Sequence, residues 1–129
     1  MLKNKVCIVT GSASGIGLAI AEAFASEGAK VVMADVNEAK LQEEAARIGA
    51  VYFKGDLSKQ EDCKGLVDFT VEKYSKVDVL ANVAGIQTVC PIEDFPEDKW
   101  SFMMNLMLTA PFLLTKYCWP YMKEQGWGR

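Results

Sequence analysis

Val6-Cys7-Ile8-Val9-Thr10-Gly11-Ser12-Ala13-Ser14-Gly15-Ile16-Gly17 is the stretch that decides the fold. Its first five residues hold no charge and no breaker, the pattern of a strand buried on both faces, as parallel sheets require. Gly11, Gly15 and Gly17 then permit a tight turn and let the backbone approach a ligand closely. From Ile16 onward Ala19, Ile20, Ala23 and Phe24 recur at helical spacing, so a helix starts inside the glycine cluster. Strand, turn and helix N-terminus together offer N–H donors and the positive end of a macrodipole to an anion, and a nucleotide phosphate is the expected guest. The spacing is TGxxxGxG rather than G-x-G-x-x-G, so the turn alone does not separate a nucleotide site from an ordinary strand-to-helix turn.

Working outward, strand and helix patterns alternate. After the first strand, Val6–Thr10, a helix over 15–27 closes at Gly28. A second apolar strand, Lys30–Ala34, ends on Asp35. Asn37 caps a helix over Glu38–Ile48, with carboxylates early, Arg47 late and Gly49 as its stop. Val51–Lys54 is a third strand, ending near Asp56. Ser58 is the expected cap of the next helix, whose inner face is Cys63, Leu66, Val67, Phe69, Thr70 and Val71 and which runs to about Ser75. A fourth strand covers Val77–Asn82. Such alternation implies right-handed crossovers and an α/β, Rossmann-type, doubly wound parallel sheet of strand order 3-2-1-4 in one domain, 1–129. Ligands of such sheets lie at the carboxyl ends of the strands, where the winding reverses. Thr10, Asp35, Asp56 and Asn82 all stand there.

The rest of the composition narrows the classes. A chain of 129 residues, half of them hydrophobic, suits a single core of useful size. A net charge of −3 argues against nucleic acid or an anionic membrane surface as partner. The chain has no histidine and no CxxC pair, so a Ser-His-Asp triad is excluded and no metal site is expected. Four scattered cysteines suit a reducing, cytoplasmic setting, and the N-terminus lacks the apolar core of a signal peptide. Beyond the loop 83–96, a helical stretch from Glu97 to about Gln125 is apolar nearly all round between Phe102 and Met122. Two prolines, a lysine and the absence of a flanking charge pattern speak against a membrane span. The expectation is a helix buried on one side by the sheet and on the other by a partner chain, giving a homo-oligomer.

Asp35 follows Gly17 by eighteen residues, near the spacing at which an acidic residue meets the adenosine ribose diol. A carboxylate there accepts hydroxyl hydrogen bonds and repels a 2′-phosphate. No Arg or Lys lies within Gly11–Gly17. Both features favour NAD over NADP.

With these residues in place, the chain resembles the short-chain dehydrogenase/reductase family. Thr10–Gly17 matches the family's TGxxxGIG motif, Asp56-Leu57 its adenine-contacting pair, and Asn82-Val83-Ala84-Gly85 its NNAG motif, with Val83 in place of the second Asn. The resemblance implies cofactor contacts at Gly11, Ser14, Ile16, Gly17, Asp35, Asp56, Leu57, Asn82, Ala84 and Gly85. Within the family, Gly85-Ile86-Gln87 with Pro91–Pro96 and Trp100 is similar to 3-hydroxybutyrate dehydrogenases, which implies that Gln87 helps hold a substrate carboxylate. The expected substrate is a small hydroxy acid or ketone.

The family's chemistry uses a Ser and a Tyr-x-x-x-Lys. Residues four beyond Tyr52, Tyr74, Tyr117 and Tyr121 are Asp56, Asp78, Tyr121 and Gln125, none of them a lysine. No catalytic residue is therefore assigned within the chain, and the resemblance places that segment, with its later strands, after Arg129. Strand four is then expected to be an exposed edge. The family's Asn in the long helix corresponds to Met107, and Asn105 lies roughly 200° away round a helix. Pro111 has no N–H for the carbonyl of Met107, so a kink is expected there. Two other readings stay open. One is a nucleotide-binding or oligomerisation module without chemistry of its own; the other is a sheet that binds S-adenosylmethionine, as methyltransferases do.

Overall fold

The computed structural model describes residues 1–129. Apolar runs become the strands β1 (Val6–Thr10), β2 (Lys30–Asp35), β3 (Val51–Lys54) and β4 (Val79–Ala81), joined into one parallel sheet of order β3-β2-β1-β4. Register brings Thr10 opposite Ala34 and Val9 opposite Ala81, so the carboxyl ends of the central strands form one rim.

Each central strand buries both faces, and the period of two divides the core. Ile8, Val32 and Ala34 point to the side covered by α3 (Gln60–Tyr74) and α5 (Ala110–Gln125), where Leu66, Val67, Leu114 and Cys118 meet them. Val9, Val31 and Met33 point to the opposite side, against α1 (Gly15–Ser26) and α2 (Glu38–Ile48), whose Ala21, Leu41 and Ala45 are buried. Asn37 Oδ1 accepts from the Lys40 N–H as the α2 cap, and Gly49 ends that helix in the left-handed conformation.

Four features differ from expectation. β4 is three residues long, because Asp78 turns its carboxylate back to accept the Val6 N–H and so belongs to the core below the strand. The α3 cap position is Lys59, not Ser58, because Ser58 N–H and Oγ both donate to Asp56 Oδ1 and hold Ser58 in the preceding turn. Phe69 and Val71 lie on the margin of the α3 inner face, half-buried. The long helix is not continuous: α4 (Glu97–Met104) passes through a π turn, Asn105–Thr109, into α5. Pro111, which cannot donate to the carbonyl of Met107, stands two residues beyond the π turn, so an irregularity falls where the sequence placed a kink.

The β4 edge carries one further pairing. Arg129 N–H donates to the Asp78 carbonyl and Leu80 N–H donates to the Arg129 carbonyl, the two bonds of a parallel rung opposite Val79. A fifth strand position is thus begun beside β4. No helix is long and apolar enough to cross a membrane.

Candidate functional site

At the carboxyl rim, the segments after β1, β2, β3 and β4 enclose a cleft of about 420 Å³. Of the ten residues expected to contact a cofactor, nine line it. Gly11, Ser14, Ile16 and Gly17 come from the turn into α1, Asp35 from the end of β2, Asp56 and Leu57 from the segment before α3, and Ala84 and Gly85 from the loop after β4. Asn82 does not. It lines a second cavity of about 640 Å³ between β4 and α5, with Leu80, Trp119, Trp127 and Arg129. Gln87 lies exposed on the loop beyond Ile86 and lines neither space, whereas Ile86 itself lines the cleft.

The glycines shape the turn by what they lack. A Cβ on Gly11, whose φ is +62°, would lie 2.7 Å from Ala84 Cα, so this residue lets the turn touch the β4 loop. A Cβ on Gly17 would overlap the Gly11 carbonyl, so this glycine lets α1 begin directly against the turn. The α1 cap, Ser14, makes no side-chain capping bond, and no acidic residue occupies the first turn. The first N–H groups of α1 are therefore open to a ligand in the cleft, and Ser14, Gly15 and Ile16 are exposed.

Two buried hydroxyls hold this arrangement together. Thr10 Oγ1 accepts from the N–H groups of Val83 and Ala84 at 2.9 and 3.0 Å, fastening the β4 loop to the end of β1. Ser12, fully buried, donates to the Val9 carbonyl and accepts from Ala34 N–H at 3.0 Å, fastening the turn to β2. Residue type alone hinted at Thr10, which ends the strand. Ser12 gave no signal, since the Ala34 N–H it meets is 22 residues away in sequence.

Asp35 is more engaged than its position suggested. Oδ2 accepts from Ala13 N–H at 3.0 Å, and Oδ1 accepts from Val36 and Asn37 N–H at 2.7 and 3.2 Å. A carboxylate has about four acceptor sites, so it retains capacity for a ligand hydroxyl while it tethers the glycine turn. Asp56 Oδ1 accepts from the N–H and Oγ of Ser58. The lining holds these two carboxylates and no lysine or arginine. The long helix contributes Phe102 and Leu106, neither of which the sequence reading had placed at the site. They form an apolar wall, and Leu106 shares a core cluster with Leu57.

No group of three or more acidic or cysteine side chains is placed to hold a metal ion. All four cysteines are free, three of them buried, and burial pushes Cys7 and Cys118 up to about 12 and Cys63 to about 11, so these three are thiols rather than thiolates at neutral pH.

Comparison with known proteins agrees with this geometry. The model of the short chain dehydrogenase family matches residues 5–129. A D-beta-hydroxybutyrate dehydrogenase of Cupriavidus necator is 37% identical over all of this chain and 52% of its own length. An NAD-dependent glycerol dehydrogenase of Listeria innocua is 37% identical over 99% of this chain and 51% of its own. The crystal structure of L-sorbose reductase from Gluconobacter frateurii, complexed with NADPH and L-sorbose, superposes with a TM-score of 0.94 at 32% identity, covering 98% of this chain and 51% of that one. The chain thus spans about half the length of the relatives it matches. The methyltransferase-like alternative falls with the family match.

Proposed function

This chain belongs to the short-chain dehydrogenase family, and on that premise we propose that its cleft holds NAD in an oxidoreductase acting on a secondary alcohol or ketone. The observation that carries the reading is the lining of the cleft: an uncapped helix N-terminus for phosphate, two carboxylates for hydroxyl and amine donors, and no cation for a 2′-phosphate. The cradle fits a dinucleotide, since Gly11 and Gly17 leave open the space that side chains would fill.

The N–H groups of Gly15, Ile16 and Gly17 bind the pyrophosphate, and Ser14 lies beside it. Asp35 accepts from the adenosine ribose diol. Asp56 and the Leu57 backbone meet the adenine, with Leu106 as the apolar wall behind. Ala84 and Gly85 back the second ribose. NAD supplies the hydride acceptor when bound. No tyrosine among residues 1–129 is followed four residues on by a lysine, so no acid–base role is assigned to them. The second reading is a nucleotide-binding or oligomerisation module without chemistry of its own, which the exposed apolar groups of Trp100, Leu108, Phe112 and Trp119 favour.

For the substrate we propose 3-hydroxybutyrate and acetoacetate. Support comes from Gly85-Ile86-Gln87, Pro91–Pro96 and Trp100, and from the relative named for that activity. The Gln87 amide would donate to the substrate carboxylate. A homo-oligomer is the proposed assembly, because Trp100, Leu108, Phe112 and Trp119 leave large apolar groups exposed along one long helix. The cysteine usage suits a reducing, cytoplasmic compartment.

Calorimetric titration tests the cofactor assignment. NAD is expected to saturate one site per chain and NADP to bind about tenfold more weakly or worse, a difference of roughly 1.4 kcal/mol. Equal or tighter binding of NADP would overturn the assignment to NAD.

A further inference from the structure

We propose that Met107 is a positioning residue: its thioether clamps Gly85 and fixes the β4 rim of the cleft for the nicotinamide half of the cofactor. This inference rests on the NAD reading above and deepens it.

The β4 rim is held unevenly. Val83 and Ala84 are tied to β1 by their bonds to Thr10 Oγ1, and Ala84 is seated against Gly11. Gly85, the next residue and part of the cleft wall, has no such hydrogen bond. What meets it instead is Met107. A Cβ at residue 85 would lie 3.3 Å from Met107 Cε and 3.8 Å from Sδ, so the methionine methyl occupies the side of Gly85 on which a side chain would stand. An unbranched thioether suits this role, since it fills an irregular gap and tolerates small shifts of its partner.

The element carrying Met107 explains how it reaches Gly85. It sits in the π turn, one residue after Leu106, which lines the cleft and is almost fully buried. Core packing of the long helix falls to Leu106, Ala110, Leu114 and Cys118. Met107 itself is 46% exposed and is absent from the buried core. Its contact with Gly85 is therefore separable from the stability of the fold.

Strand order says which half of a ligand it serves. Asp35, Asp56 and Leu57 belong to the β2–β3 side of the glycine turn, and Gly85 belongs to the β4 side. A dinucleotide that places its adenosine at Asp35 and its pyrophosphate on α1 must extend its other half toward β4. A loosened Gly85 thus affects the nicotinamide half and leaves the adenosine half untouched.

The test compares NAD with AMP on three proteins: the unaltered chain, Met107→Ala and Met107→Leu. Met107→Ala is expected to weaken NAD about tenfold and leave AMP within about twofold. Met107→Leu, which restores the apolar bulk, is expected to return NAD binding to within about twofold of the unaltered chain. Unchanged NAD affinity in Met107→Ala, or an equal loss for AMP, would overturn the proposal. If the unaltered chain binds no NAD, the cofactor reading fails, and amide exchange at Gly85 without ligand then decides the clamp. Faster exchange in Met107→Ala than in Met107→Leu upholds it, and equal rates refute it.

Discussion

Asp35 holds the glycine turn with the same two oxygens that the proposed function gives to the ligand. By accepting from Ala13 N–H it docks the turn onto the end of β2, and in the proposed reading its charge excludes a 2′-phosphate from that corner. The two roles separate in Asp35→Asn, which keeps the size of the side chain and removes the charge. One of the three N–H donors now met by the carboxylate then faces an amide group that cannot accept, so stability is expected to fall by about 1 kcal/mol in urea unfolding. The ratio of NAD to NADP affinity is expected to fall about tenfold. An unchanged ratio would mean that the carboxylate is only a tether. In the sequence, the spacing from Gly17 points to the proposed ligand role. The tether was hidden, because Ala13 and Asp35 meet only once β1 and β2 have paired.

At the scale of elements, the turn into α1 tolerates no side chain at its third glycine. Gly17→Ala places a methyl group inside the Gly11 carbonyl, and either α1 withdraws or the turn opens. We expect a loss of about 3 kcal/mol in thermal unfolding, together with loss of NAD binding. A variant that binds NAD normally would contradict the close approach on which the cradle depends. The strands and α2 were legible in the sequence because their signals are local: apolar runs, the Asn37 cap, the Gly49 stop. Ser58 misled because a capping residue type was drawn instead to the Asp56 carboxylate, a competition that composition does not reveal. Asn82 lines the cavity beside α5 rather than the glycine-lined cleft, a placement that a strand end in sequence does not reveal. Phe102 and Leu106 come from a helix far along the chain, and they reach the cleft only in the folded structure, where Leu106 shares a core cluster with Leu57.

Over the whole molecule, Asp78 joins the two ends of the chain. Its carboxylate accepts from Val6 N–H at the start of β1, from Lys76 Nζ, and from the Gln125 amide at the end of α5, and only 2% of the residue is exposed. Burial alone would raise its pKa. The bonds from Lys76 and Val6, with the nearby charge of Lys5, outweigh burial and hold it below the usual carboxylate range. A folded pKa below the unfolded one stabilises the protein above the ordinary aspartate value, near 3.9, and that stabilisation is lost as pH falls through the folded value. Thermal melts are expected to drop below about pH 4 in the unaltered chain, and Asp78→Ala is expected to lose about 3 kcal/mol at neutral pH while showing a shallower acid drop. An identical acid profile in the variant would remove Asp78 from the account. The same whole-molecule view leaves two cavities competing for a ligand, the glycine-lined cleft and the larger space beside β4. Amide resonances followed during NAD titration separate them most directly. The account predicts perturbations at Ala13–Gly17, Asp35, Asp56-Leu57 and Ala84–Ile86, with Trp119, Lys123 and Trp127 unmoved. Perturbations centred on those last three residues, with the glycine turn silent, would contradict it.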